Sequence, residues 1–155
     1  MYQVINKLEV NIKKLRPTAK IPTRGSTAAA GYDFYADLES GSATHYIFPH
    51  QTVLIGTGVS MALPDGTFLG LYPRSGLASK QGLRLANCVG VIDSDYRGEI
   101  KIALHNDTDE TQCIKNGDRI AQGILETYIP MNFKEVEELD ETDRGNGGFG
   151  STGSN

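Results

Sequence analysis

Three observations predict an all-β fold for this chain. Apolar and polar residues alternate with period two, turn residues recur at short intervals, and only one short segment has helical character. The alternation is cleanest in Leu8-Glu9-Val10-Asn11-Ile12 and in Glu99-Ile100-Lys101-Ile102-Ala103-Leu104. Successive side chains of an extended chain leave opposite faces, so each run turns one apolar face to a core. Further strands are expected over residues 51–63, 67–72, 88–92, 119–129 and 133–136. Gly56 and Gly58 lie inside the first of these and predict a bulge or break there. Turns are expected at Pro64-Asp65-Gly66, Asn116-Gly117, Arg97-Gly98 and Gln81-Gly82, where glycine reaches positive φ without steric cost. The one helix is expected around residues 75–81, with Ser75 as its N-cap. Many short strands joined in this way suit a sandwich, a jelly roll or a barrel.

Composition narrows the function. The chain has 155 residues, which is the size of one domain. Its 19 acidic against 15 basic side chains give a net charge of −4, which argues against a direct nucleic-acid binder. No stretch approaches the ~18 apolar residues of a membrane span, and no signal peptide is evident. Cys88 and Cys113 are too few for a disulfide framework, so a reducing, cytoplasmic setting is expected; a viral or phage origin fits equally. His45, His50 and His105 have no zinc-site spacing.

The C-terminal end differs in kind. Six acidic residues fall between Glu135 and Asp143, and the ten residues from Arg144 hold five glycines around the single large apolar Phe149. Two readings stand, a frayed terminus or a lid ordered by a ligand, with Phe149 as anchor and Arg144 as charge. The spacing Gly145-x-Gly147-x-x-Gly150 formally matches a dinucleotide fingerprint, but the sequence ends five residues later and leaves no room for the required helix.

Three interior segments combine glycine, charge and hydroxyl. Ala29-Ala30-Gly31-Tyr32-Asp33-Phe34-Tyr35-Ala36 reads as a strand with Asp33 at a turn. Pro73-Arg74-Ser75-Gly76-Leu77-Ala78 brings a forked cation, a hydroxyl and a glycine to a helix start, which makes a candidate phosphate cradle. In Gly90-Val91-Ile92-Asp93-Ser94-Asp95-Tyr96-Arg97-Gly98, Asp93 is either a turn cap or a strand-end carboxylate aimed at a water as general base.

With these segments, AAGYDFYAD at 29–37, PRSGLA at 73–78, NCVGVIDSDYRG at 87–98, GDRIAQ at 117–122 and RGNGGFGSTG at 144–153 stand in order. In all five the chain resembles the trimeric dUTP diphosphatases (dUTPases), from the first motif to two residues from the end. The resemblance implies a jelly-roll-like or distorted β-barrel subunit over 1–134, an acidic connector over 135–143, and a C-terminal arm over 144–155 that closes an active site. It implies a homotrimer whose sites are shared between chains. It also implies hydrolysis of dUTP to dUMP and diphosphate by water attack on the α-phosphorus, which keeps uracil out of DNA and supplies dUMP for thymidylate synthesis.

Residue by residue, Asp93 matches the carboxylate that deprotonates the water. Arg74, Ser75 and Gly76 match the phosphate-binding motif, and Gln122 matches a residue that steadies phosphates and water. Asn87, Gly90, Val91 and Ile92 belong to the hairpin that reads uracil, and Tyr96 matches the tyrosine that packs on deoxyribose and refuses a 2′-hydroxyl. Lys101 falls where the family contacts nucleotide through its backbone. Arg144 would meet the γ-phosphate and Phe149 stack on uracil, with Gly150, Ser151 and Thr152 along the phosphates. Asp33 has a supporting role. Mg2+ is implied as a cofactor held by the triphosphate and waters, with no direct protein ligand. Phe34 and Gly123 depart from the family, which more often has leucine and an aliphatic residue there. Two alternatives are a dCTP deaminase of the same fold and a nucleotide-dependent regulatory binding protein.

Overall fold

Backbone pairing joins segments far apart in sequence, and every pairing is antiparallel. The computed structural model describes residues 8–38 and 42–148. Its first six strands are β1 (Asn11–Lys14), β2 (Thr23–Arg24), β3 (Tyr32–Tyr35), β4 (Thr44–Ile47), β5 (Thr52–Gly56) and β6 (Val59–Ala62). After β7 (Thr67–Tyr72) comes helix α1 (Ser75–Gln81). Then follow β8 (Leu83–Leu85), β9 (Gly90–Asp93), β10 (Lys101–Asn106), β11 (Gln112–Lys115) and β12 (Arg119–Thr127). The largest sheet has the order β2-β3-β12-β7-β9; a second runs β5-β10-β8, and β1-β6 and β11-β4 form two-stranded ribbons. These sheets close on one core built from Phe34, Ile47, Val59, Leu71, Leu85, Ile102, Leu104 and Ile120, among others. The result is the jelly-roll-like β fold expected. Among the described residues no helix is long and apolar enough to cross a membrane.

The long run 51–63 breaks at Gly56–Gly58 into β5 and β6. Gly58 has φ +68°, and a Cβ there would overlap the Asp37 carboxylate, so only glycine lets the two segments pass. Three expectations are corrected. Residues 133–136 form no strand: Phe133 is 88% exposed, and no strand of this chain pairs with it among the described residues. Asp33 lies within β3 rather than at a turn, paired in register with Gln122 of β12. The N-cap of α1 is Arg74, with φ −87° and ψ 129°, and Ser75 is the first helical residue. Arg74 makes no side-chain cap bond, since a guanidinium only donates and offers the helix amides no acceptor; it reaches Asp33 instead.

Phe34 and Gly123, the two positions expected to depart from the family pattern, are neighbours. A Cβ on Gly123 would lie 2.5 Å from Phe34 Cε2 and 3.0 Å from Leu69 Cδ1. The larger ring on β3 therefore fills the space that an aliphatic side chain on β12 would take. Gly123→Val is expected to cost about 1–3 kcal/mol through overpacking. Adding Phe34→Leu withdraws the clashing edge and should recover part of that loss. Urea melts of the two single variants and the double variant measure the coupling; additive losses would contradict the contact.

Candidate active site

Strand order gathers three of the motifs at one end of the large sheet. β12 lies between β3 and β7, so Gln122 is level with Asp33 on one side and with Tyr72 on the other. The chain leaves β7 through Pro73 into Arg74, which opens α1. Arg74 Nε is 2.9 Å from Asp33 Oδ1, and Arg119 Nη1 is 3.2 Å from Asp33 Oδ2. One largely buried carboxylate thus holds two guanidiniums side by side, and the three groups together carry one net positive charge. Each carboxylate oxygen serves a different arginine, so the fork of Arg74 is fixed before any anion arrives.

Gln122 Nε2 donates to the Pro73 carbonyl at 3.0 Å, which ties β12 to the residue just before the cradle. Its side chain leans against Gly31, where a Cβ would be 2.6 Å from Oε1. Gly76 is different from these packed glycines. A Cβ there would meet nothing within 4 Å, so packing within this chain does not require glycine at that position. Open space beside Arg74 and Ser75 suits close approach of a ligand to the backbone.

The second group lies elsewhere. β8 and β9 flank a turn in which Cys88 has φ +61° and its N–H donates to the Leu85 carbonyl at 3.1 Å. Asn87 is exposed beside this turn, and Gly90 is buried so closely that a Cβ would be 3.4 Å from Asn87 Nδ2 and 3.2 Å from Leu71 Cβ. Val91 points outward, whereas the Ile92 side chain packs on the core and leaves only its backbone for a ligand. Asp93 ends β9; its side chain is exposed and makes no hydrogen bond or ion pair among the described residues. Its carbonyl accepts from the Tyr96 N–H at 3.2 Å. Ser94 and Asp95 form the turn, so of the two carboxylates only Asp93 belongs to the strand.

These two groups do not meet within one chain. Asp93 stands opposite Phe68, while Arg74 lies beyond Tyr72 at the other end of β7. At about 3.4 Å per residue, the four steps from Phe68 to Tyr72 alone separate them by roughly 14 Å. Lys101 starts β10 opposite Gly56, with Nζ 3.7 Å from Glu99 Oε2, and is joined to neither group. Arg144 is exposed, and its Nε donates to the Gly147 carbonyl at 2.8 Å inside its own turn. Phe149, Gly150, Ser151 and Thr152 lie outside the described residues. No three His, Cys, Asp or Glu side chains converge as a metal cage among the described residues.

The sequence reading missed Arg119. Its signal was present in GDRIAQ, where Gln122 alone was assigned a role.

Residues 17–153 match the family model described as dUTPase. The chain is 49% identical over 141 residues to the deoxyuridine 5′-triphosphate nucleotidohydrolase of Candida albicans, covering 90% of this chain and 84% of that protein. It is 47% identical over 143 residues to the protein of the same name from Paramecium bursaria Chlorella virus 1, covering 92% and 96%. Among solved structures it is similar to the Staphylococcus bacteriophage 80alpha dUTPase with dUPNHPP. That likeness has a TM-score of 0.84 at 28% identity, and covers 96% of this chain and all of the other.

Proposed function

The chain belongs to the dUTPase family, and on that premise we propose that it hydrolyses dUTP to dUMP and diphosphate, one site being shared between copies of the chain. The observation that carries the shared site is the separation of Asp93 from Arg74 along β7. A base and a phosphate cradle at opposite ends of a strand act on one α-phosphorus only when different copies supply them. A closed ring of three copies meets that need. The segment after β12 supports association: Ile129 and Phe133 are 87% and 88% exposed, and Met131 between them is exposed too. Residues two apart on an extended chain share one face, so this face is apolar and is not covered by its own subunit.

In the reaction, the Asp93 carboxylate accepts a proton from a water whose oxygen forms the new bond to the α-phosphorus. The bond from that phosphorus to the bridging oxygen breaks, and the electron pair leaves with diphosphate. Arg74, with Arg119 beside it, faces the developing charge; because Asp33 holds the guanidiniums in advance, little reorganisation is needed. Ser75 offers a hydroxyl, Gly76 close backbone approach, and Gln122 holds the Pro73 end of the cradle. A Mg2+ held by the triphosphate would neutralise phosphate charge, with no side chain of this chain needed to ligate it. That suits a chain whose carboxylate nearest the cradle, Asp33, is already committed to two arginines.

Asn87 and the backbone of Gly90, Val91 and Ile92 read the uracil edge. Cytosine would present a donor where uracil accepts and leave a buried polar group unpaired. Tyr96 packs on the sugar. The acidic connector carries the arm, from which Arg144 reaches the γ-phosphate and Phe149 stacks on the base, with Gly150, Ser151 and Thr152 following the phosphates. Stacking of this kind is worth ~1–3 kcal/mol.

Product analysis with Mg2+ and, separately, dUTP, dTTP, dCTP and UTP tests this reading. Diphosphate and dUMP from dUTP alone are expected. Ammonia from dCTP would mean the deaminase reaction, which the relatives' names do not favour. Binding of dUTP without turnover of any nucleotide would mean a regulatory protein.

A further inference from the structure

One buried ionic cluster lies apart from the phosphate cradle and has no part in the chemistry above. Arg16 follows β1, Asp37 follows β3 and Glu99 precedes β10. Arg16 Nε donates to Asp37 Oδ2 at 2.7 Å, and Arg16 Nη2 donates to Glu99 Oε1. Glu99 Oε1 also accepts the Gly58 N–H at 2.8 Å. Asp37 is 3% exposed and its N–H donates to the Gly56 carbonyl at 2.8 Å. Burial pushes the Glu99 carboxyl up, but the Arg16 hydrogen bond, the Gly58 N–H and the charges of Arg16 and Lys101 hold it below the usual carboxylate range. Glu99 is therefore ionised at neutral pH, and the cluster fastens the β9–β10 loop to three other segments of the chain.

That loop carries Tyr96. The phenol donates to the Glu99 carbonyl at 3.0 Å, and the ring lies so closely on Gly98 that any Cβ there would overlap it. The ring is otherwise open, at 44% exposure. Its position is thus set by the backbone at residue 99, which the Glu99 side chain anchors together with the Ser60 hydroxyl, donating to the Arg97 carbonyl at 2.7 Å, and the Ile100 N–H, donating to the Val59 carbonyl at 2.9 Å. A ring that refuses one hydroxyl by contact must stay in place when pushed, since a displacement of the order of an ångström admits the larger sugar.

We propose that Glu99, gripped by Arg16 and the Gly58 amide, is a positioning residue that holds Tyr96 against the sugar and so sets the preference for deoxyribose over ribose. The proposal rests on the dUTPase reading of Tyr96. It also predicts a selective defect. Glu99→Ala should lower the ratio of kcat/KM for dUTP to that for UTP by about tenfold, part of the ~10² that apolar contact achieves against an added hydroxyl. The dUTP-to-dCTP ratio, set by the uracil hairpin, should not move. Glu99→Gln keeps an acceptor for both donors and should restore most of the sugar preference.

Loss of folded protein would lower all substrates together and leave both ratios unchanged, which separates a structural role from a positioning one. If Glu99→Ala does not fold, Arg16→Lys carries the test: it keeps the charge, loses the fork, and should lower the same ratio to a smaller degree. An unchanged dUTP-to-UTP ratio in the folded variant, or an equal fall in both ratios, overturns the proposal. An unaltered protein with no preference between dUTP and UTP would instead overturn the role of Tyr96 itself.

Discussion

Asparagine in place of Asp93 is expected to leave a folded protein that binds dUTP and turns it over about 10²–10⁴-fold more slowly, the usual worth of a positioned general base. The substitution is nearly isosteric and falls at an exposed strand end where the carboxylate has no partner among the described residues. Nothing in the fold depends on that charge, so thermal stability should stay within a few tenths of a kcal/mol of the unaltered chain. The amide cannot accept the water's proton, and loss should therefore fall on kcat rather than on KM. Calorimetric titration with a non-hydrolysable dUTP analogue, beside steady-state kinetics, separates the two. Near-normal turnover would remove Asp93 from the mechanism.

Arg74→Ala should show the complementary defect. Its guanidinium touches Asp33, and in the proposed site it would face the phosphates, so truncation should take a charged contact from the substrate and one of two cations from Asp33. A hydrogen bond to a charged group is worth about 1.5–3 kcal/mol, which corresponds to roughly 10- to 150-fold in KM. Arg119 still pairs with Asp33, so the fold should survive. Arg74→Lys should recover little, because a single ammonium cannot hold the carboxylate and a phosphate with a planar fork. An unchanged KM in either variant would dismiss the cradle.

Period-two alternation located the strands that bury a full face, such as β10, because each buries several residues of alternating register. It missed β4 and β11, which bury a single residue each, Ile47 and Ile114, since one buried position has no period, and it missed β2 and β8, whose two and three residues are too short to show one. The stretch around Phe133 failed in the opposite sense. Alternation says that a chain has one apolar face, not which molecule covers it. The helix bounds were legible from local chemistry, whereas its N-cap was not, since Arg74 has no side-chain acceptor and so carries no capping signal.

The candidate site follows the same division. The sequence and its family resemblance singled out Asp93, Arg74 and Gln122 as candidates, but they could not reveal that Asp93 and Arg74 stand at opposite ends of β7. Nor could it reveal the contact of Arg16 with Glu99, 83 residues apart in sequence, which leaves no local pattern.

The shared site is tested most directly by mixing the two defective proteins. Asp93→Asn and Arg74→Ala subunits, co-refolded in equal amounts, form mixed assemblies. In each mixed ring of three, one boundary joins an intact Asp93 to an intact Arg74. Three quarters of random trimers are mixed and each regains one site in three, so about a quarter of the unaltered activity should return. Assayed with dUTP well below KM, each protein refolded alone should keep at most about a tenth of the unaltered activity. A mixture no more active than the average of its two components would contradict a site built across subunits and confine Asp93 and Arg74 to one chain.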